Sequence, residues 1–164
     1  MIKSIRFAIL MDRARVSASR GDYHCALDIL EQASRVFGTD GPSPRVPVTA
    51  NLFYADICVR LSRFLDAFSA CEIAIQQLLA QRGRRLRRFN GETIKYLLFH
   101  CKWILSLTTS FADSTAFNLA KKIDLTYDNI DVRRVSGTVR RTFPMSAQEA
   151  RQLDRFFHDN ALAP

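Results

Sequence analysis

The sequence predicts an all-helical protein made of tandem antiparallel helical hairpins. The chain has 164 residues, which is long enough for one domain with a hydrophobic core. Only five prolines and six glycines occur, so the long stretches between them consist mainly of helix-forming residues. Apolar residues recur along these stretches at spacings of three and four, which is typical of helices that bury one face. Two segments, 14–33 and 55–74, also match each other without gaps.

The first predicted hairpin joins two helices through a short turn. The first helix covers residues 2–19 and has one apolar stripe that includes Phe7, Leu10 and Met11. Gly21 interrupts the pattern, and Asp22 stands where its carboxylate can cap the next helix. That second helix covers residues 23–37. A loop rich in glycine and proline follows at residues 38–44.

The second predicted hairpin has the same plan. Its first helix covers residues 47–61, and a turn at Ser62 and Arg63 leads into a helix over residues 64–81. The second turn therefore has Ser-Arg where the first has Gly-Asp. A run of arginines ends the fourth helix, and Asn90-Gly91 marks the next boundary.

The rest of the chain is predicted to be helical in three places. A fifth helix over residues 92–108 is apolar on nearly all sides and needs cover from other elements. A shorter sixth helix covers residues 114–123. A closing helix over residues 146–160 begins with a capping box of Ser146 and Glu149.

The closing helix is expected to cap the array. In that arrangement it packs on the sixth helix and buries Leu153, Phe156 and Phe157. The alternative is that it folds back into the groove that an array of hairpins forms between its helices and blocks it. The chain then divides into a helical repeat domain at residues 1–124, a basic extended or flexible segment at 125–145, and the capping helix and tail at 146–164.

The two hairpins share residue types at equivalent positions. The pairs are Ala14 with Ala55, Tyr23 with Phe64, Ala26 with Ala67, and Ala33 with Ala74. A small residue where two helices cross, a Gly-Asp-Tyr turn and two alanines at the spacing of Ala26 and Ala33 resemble the tetratricopeptide repeat (TPR) over residues 7–80, and more loosely over 91–124. Alanines at a crossing let helix backbones approach closely, and stacked hairpins bury faces that one pair leaves open. Helical hairpins unrelated to this family are the alternative interpretation.

The resemblance implies a TPR-like superhelical array of about three pairs that binds proteins without catalysis, as an adaptor, scaffold or chaperone does. Proteins of this family grip a partner on a concave surface lined by the first helix of each pair. Carried over onto this sequence, the groove would present Arg15, Asp56, Arg60, Lys95 and Lys102. These charges imply a protein or peptide partner with acidic side chains or a free carboxylate. A homo-oligomer that covers the fifth helix is a further interpretation.

Two arginine-rich segments, residues 82–88 and 133–141, favour an alternative function. Their arginines are Arg82, Arg84, Arg85, Arg87, Arg88, Arg133, Arg134, Arg140 and Arg141. These nine arginines outnumber the net charge of +8, so the rest of the chain is close to neutral. Such segments bind the phosphates of nucleic acid or dock on an acidic surface, which predicts a helical nucleic-acid-binding or regulatory protein. The simplest interpretation is two solvated loops.

No catalytic, cofactor-binding or metal-binding pattern occurs in the sequence, so we expect no enzyme and no cofactor. The four cysteines form no CxxC pair, which favours reduced thiols and a cytoplasmic location. The segment that opens the chain is too short and too charged for a signal peptide. No apolar run reaches the length of a transmembrane helix.

Overall fold

The structure, a computed structural model, describes residues 1–82 and ten later positions, namely 97, 100, 101, 103, 104, 147, 148, 151, 152 and 155. All regular structure in this part of the chain is helical, and the four continuous helices α1 to α4 lie within residues 1–82. The prediction of an all-helical protein is therefore confirmed for the described residues. The chain divides into two compact units, Met1–Ala74 and Ile75–Pro164.

The first hairpin consists of α1 (Ile2–Ser19) and α2 (Tyr23–Arg35), which pack against each other. Ala14, Ala26 and Ala33 are fully buried, and small side chains at these positions let the two backbones approach closely. Leu27 and Leu30 of α2 complete the buried face. The apolar stripes therefore build the core of this hairpin as the sequence predicts.

The turn between α1 and α2 is a Schellman motif. The Asp22 amide donates to the Ser17 carbonyl at 3.0 Å, and the Gly21 amide donates to the Ala18 carbonyl at 3.0 Å. Gly21 has a φ of +78°, a left-handed conformation that glycine adopts without steric cost. The Asp22 carboxylate then accepts from the Cys25 amide and caps α2, as expected from the sequence.

The predicted second hairpin corresponds to α3 (Val48–Arg60) and α4 (Phe64–Arg82), and the turn between these helices repeats the first turn. The Arg63 amide donates to the Cys58 carbonyl at 2.8 Å, and the Ser62 amide donates to the Val59 carbonyl at 3.0 Å. Both bonds join the positions that are equivalent to those of the first turn in the alignment of the two hairpins. Ser62 has a φ of +57°, so it adopts the left-handed conformation that Gly21 has in the first turn. The same turn thus forms from Ser-Arg and from Gly-Asp.

The loop between α2 and α3 is held by Asn51, a buried residue on α3. Its side-chain oxygen accepts from the Ser43 amide at 3.2 Å, and its side-chain nitrogen donates to the Ser43 carbonyl at 2.9 Å and to the Val46 carbonyl at 3.3 Å. These bonds satisfy backbone groups that have no helix or strand to pair with. Asn51 was not singled out from the sequence.

The helix ends differ from the predictions by at most two positions. The first helix has the predicted limits, whereas α2 stops at Arg35 because residues 36–38 form a turn and Gly38 has a φ of +78°. Helix α3 starts one position later and stops one position earlier than predicted, and α4 continues one position further, to Arg82.

The second unit is described at fewer positions. Ile75 and Leu78 of α4 are buried, and so are Leu97, Cys101 and Ile104, which are helical as the predicted fifth helix requires. Five positions between 147 and 155 are helical and exposed. The predicted sixth helix, the segment at 125–145 and the buried residues of the capping helix lie outside the described residues. None of the described helices is both long enough and apolar enough to cross a membrane.

Candidate functional site

The outer face of α1 exposes a stripe of large apolar side chains. Ile2, Ile5 and Ile9 are 84%, 56% and 55% exposed, and Met1 and Val16 are exposed as well. The three isoleucines follow each other at spacings of three and four, so they lie on one face of the helix. We call this surface the isoleucine stripe. Contiguous exposed apolar residues of this kind are typical of binding surfaces.

The isoleucine stripe borders a groove of about 410 Å³. Leu10 lines the groove where α1 meets α2, and Gln32 of α2 forms part of its wall. A volume of this size lies within the range of binding clefts, about 300–1,000 Å³. The groove lies entirely within the first hairpin.

Two arginines, Arg6 and Arg13, line the same groove. Their spacing on α1 places them on one flank of the isoleucine stripe, two helical turns from each other. Within the part of the chain that the structure describes, neither has an ion pair, and no acidic residue lines the groove. The groove therefore combines an apolar floor with a positively charged edge.

Arg15, the first residue predicted to line a partner groove, lies on α1 but does not line this groove. Its guanidinium forms an ion pair with Asp12 at 2.8 Å, and both side chains are accessible to solvent. An exposed pair of this kind contributes little to stability, so a partner can reach Arg15 without disrupting the fold.

Asp56 and Arg60, two further predicted groove residues, form a buried ion pair on α3. Arg60 Nε lies 3.3 Å from Asp56 Oδ2, and the two side chains are only 9% and 2% exposed. Arg60 Nη1 also donates to the Tyr23 hydroxyl at 3.2 Å, and the guanidinium carbon lies 5.3 Å from the centre of the Tyr23 ring. These contacts tie α3 to the start of α2. In the folded chain both charges are thus satisfied internally.

The remaining predicted site residues are not described. Lys95 and Lys102 lie outside the described residues, and so do the arginines of both basic segments beyond Arg82, where α4 ends. Their roles stay predictions. Among the described residues, no group of three or more His, Cys, Asp or Glu side chains could hold a metal ion.

Two buried titratable groups lie near the second turn. Burial raises the pKa of the Cys58 thiol from 9.0 to about 12, against the lowering effect of Arg63. Burial likewise raises the pKa of Tyr54 from 10.0 to about 12. A thiol that keeps its proton at neutral pH is a poor nucleophile, so Cys58 is a core residue. Cys25, Cys58, Cys71 and Cys101 form no disulfide.

The isoleucine stripe was missed in the sequence. Its signal was present, because α1 has apolar residues on two faces: Phe7, Leu10 and Met11 on one, and the isoleucines on the other. A helix that is apolar on two faces predicts either cover from a second element or an open binding surface. Periodicity does not decide between these two outcomes, whereas the exposed fractions in the structure do.

Comparisons with known proteins give no match. No protein family, no curated protein and no solved structure is similar to this chain at a significant level.

Proposed function

We propose that this protein is a non-catalytic interaction module, an adaptor or scaffold that binds a partner protein through a groove between helices. The observation that supports this function most is the isoleucine stripe beside a groove with arginines on its edge. Exposing three isoleucines to water is unfavourable, at about 25 cal/mol for each Å² of apolar surface. A partner that covers the stripe recovers this free energy.

The rigidity of the first hairpin supports the same function. Ala14, Ala26 and Ala33 hold α1 close to α2, and the Schellman turn fixes where α2 starts. A groove on such a scaffold is formed before the partner arrives, so binding costs little conformational entropy. We propose a TPR-like array as the architecture behind this scaffold, because the turn between α3 and α4 repeats the turn between α1 and α2. We further propose a cytoplasmic location, since none of the four cysteines forms a disulfide.

The test is an affinity pull-down from a native extract with the full chain as bait. We expect the wild-type chain to enrich a protein that the double variant Ile5→Glu/Ile9→Glu does not. Leu65→Glu is the matched control, because Leu65 is an exposed apolar residue on α4 that does not line the groove. Equal enrichment by the wild type and the stripe variant would contradict binding at the stripe.

Arg15→Gln tests the groove implied by the family resemblance. The Arg15 side chain is partly exposed, so a partner can reach it. Arg60 is unsuitable for such a test, because reversing its charge would place two carboxylates together in a buried site. If Arg15→Gln retains every partner that the wild type binds, Arg15 has no part in the interface.

A nucleic-acid-binding function is the second candidate, supported by the nine arginines of the two basic segments. Binding of this kind weakens steeply between about 50 and 200 mM salt, because each neutralised phosphate releases counterions. An electrophoretic mobility assay with mixed DNA and RNA at low salt measures it. Unaltered mobility would remove this candidate.

A further inference from the structure

We propose that the groove along α1 binds an acidic amphipathic helix whose apolar side chains lie on Ile2, Ile5 and Ile9 and whose carboxylates pair with Arg6 and Arg13. This inference rests on the proposed function and names the chemistry of the partner. Three observations support it: the spacing of the isoleucines, the position of the arginines and the shape of the groove.

The isoleucine stripe matches the apolar face of a helix. Between Ile2 and Arg13 the axis of α1 rises by about 17 Å, the length of about three turns of a partner helix. A helix that lies along this line presents anchors at spacings of three and four, so its apolar residues meet the isoleucines in register. The groove beside the stripe has room for these anchors.

The arginines determine the charge of the partner. Arg6 and Arg13 flank the stripe on the side of Leu10 and Gln32, and neither has an ion pair among the described residues. Because they are two helical turns apart, two carboxylates with the same spacing on a partner helix can reach both. Arginine binds a carboxylate through two parallel hydrogen bonds, which orients the partner as well as attracting it.

A second copy of the chain does not fit this groove. In a twofold symmetric dimer the same groove is on both sides of the interface, and this groove supplies arginines but no acidic residue to pair with them. A bilayer fits less well than a helix, because the wall that includes Gln32 makes the surface concave, whereas a helix that lies on a membrane must protrude.

The experiment measures binding of the full chain to two designed helical peptides by fluorescence anisotropy. Both peptides have about 18 residues and leucines at spacings of three and four; one has glutamates on its flank, and the other has lysines at the same positions. We expect the glutamate peptide to bind at least tenfold more tightly than the lysine peptide. Ile5→Glu/Ile9→Glu should abolish binding of the glutamate peptide.

Charge reversal tests the role of the two arginines. Arg6→Glu/Arg13→Glu should invert the preference, so that the lysine peptide binds more tightly than the glutamate peptide. Arg45→Glu/Arg63→Glu is the matched control, because both residues are exposed, lie outside α1 and do not line the groove. This control should keep the wild-type preference. An unchanged preference in the groove variant would overturn the proposal.

Three other outcomes would also overturn it. These are equal binding of both peptides, tighter binding to phosphatidylcholine vesicles containing about a third phosphatidylserine than to either peptide, and self-association of the chain that Ile5→Glu/Ile9→Glu abolishes. If neither peptide binds while the pull-down still depends on Ile5 and Ile9, the proposed acidic helix is the wrong partner and the interaction function stands. If the peptides bind and the pull-down enriches nothing, the interaction function is the part that fails.

Discussion

Helices α1 and α3 hold equivalent places in the two predicted hairpins, yet one is open and the other is enclosed. Ten of the 13 residues of α3 are buried, whereas four of the 18 residues of α1 are. Both helices open a hairpin with the same turn, so the turn does not decide how far a helix is covered. The difference lies in their outer faces: Ile9 and Val16 of α1 are exposed, whereas Ala50 and Ile57, the equivalent residues of α3, are buried.

The comparison indicates two roles for the first helix of a hairpin. Helix α3 builds the core and places even its charged Asp56 and Arg60 in internal contacts. Helix α1 buries one face against α2 and leaves the other to solvent. Apolar residues on α3 therefore stabilise the fold, whereas those on the outer face of α1 are free to bind.

The largest expected effect comes from truncating the core of α3. Leu52→Ala should lower the free energy of unfolding by about 4 kcal/mol, because the fully buried leucine leaves a cavity. Ile9→Ala on the outer face of α1 is the matched control and should cost less than about 0.5 kcal/mol. Urea denaturation followed by circular dichroism measures both. Similar losses for the two variants would contradict the difference between the helices.

Loss of the buried ion pair on α3 should cost more stability than loss of the ion pair on α1. Arg60→Leu should destabilise the protein by about 3 kcal/mol, because it takes the cation from a buried carboxylate and breaks the contact with Tyr23. Arg15→Leu removes an exposed pair and should change stability by at most about 0.5 kcal/mol. Thermal melts of both variants would show the difference. A loss for Arg15→Leu as large as that for Arg60→Leu would show that the first pair is also structural.

Stability should fall at high pH because of groups on α3. The unfolded Cys58 thiol loses its proton near pH 9.0, whereas the folded protein keeps it until about pH 12. The unfolded state thus binds fewer protons between these values, so unfolding becomes easier by up to about 1.4 kcal/mol for each pH unit. Below pH 9 this contribution is constant. Tyr54 adds to the loss above pH 10, because burial raises its pKa to about 12 as well.

Cys58→Ala identifies the thiol as one source of this pH dependence. The variant removes the group that begins to titrate at pH 9, so its free energy of unfolding should fall less steeply between pH 9 and 10 than that of the wild type. Urea titrations at a series of pH values give both curves. Parallel curves would show that Cys58 does not titrate differently in the folded and unfolded states.

A smaller effect is expected from exchanging the residues of the two turns. Ser62→Gly should stabilise the protein by about 1 kcal/mol, because serine is strained at a φ of +57°. Gly21→Ser should destabilise it by about the same amount, and no neighbouring atom lies close enough to add a clash. Denaturant midpoints of the two variants test whether the turns are equivalent. Shifts of equal sign would mean that they are not.

The sequence predicted the parts of the structure that depend on local pattern. Apolar periodicity gave the limits of α1 and the buried alanines, and the Gly-Asp pair gave the first turn and its cap. The gapless match between the two hairpins gave the second turn even though Ser62 and Arg63 lack the usual residue types. These features depend on residues close in sequence, so one chain is enough to find them.

Other features do not follow from helical periodicity. Asn51 binds a loop that lies just before its helix, and Arg60 contacts Tyr23 of another helix, so the burial of these side chains depends on how the elements pack. The same holds for the open face of α1, because Ile5 would be buried if another element covered it. The candidate site was therefore found from exposed fractions, and the predicted partner with acidic character remains a proposal.

The double variant Ile5→Gln/Ile9→Gln tests directly whether the isoleucine stripe packs against the rest of the protein. Glutamine is at least as good a helix former as isoleucine, so helix propensity does not weaken α1. Urea denaturation of the full chain, followed by circular dichroism, should give a free energy of unfolding within about 0.5 kcal/mol of the wild-type value. A loss of about 2 kcal/mol or more would show that the stripe is packed within the protein, and α1 would then have no open face to bind a partner.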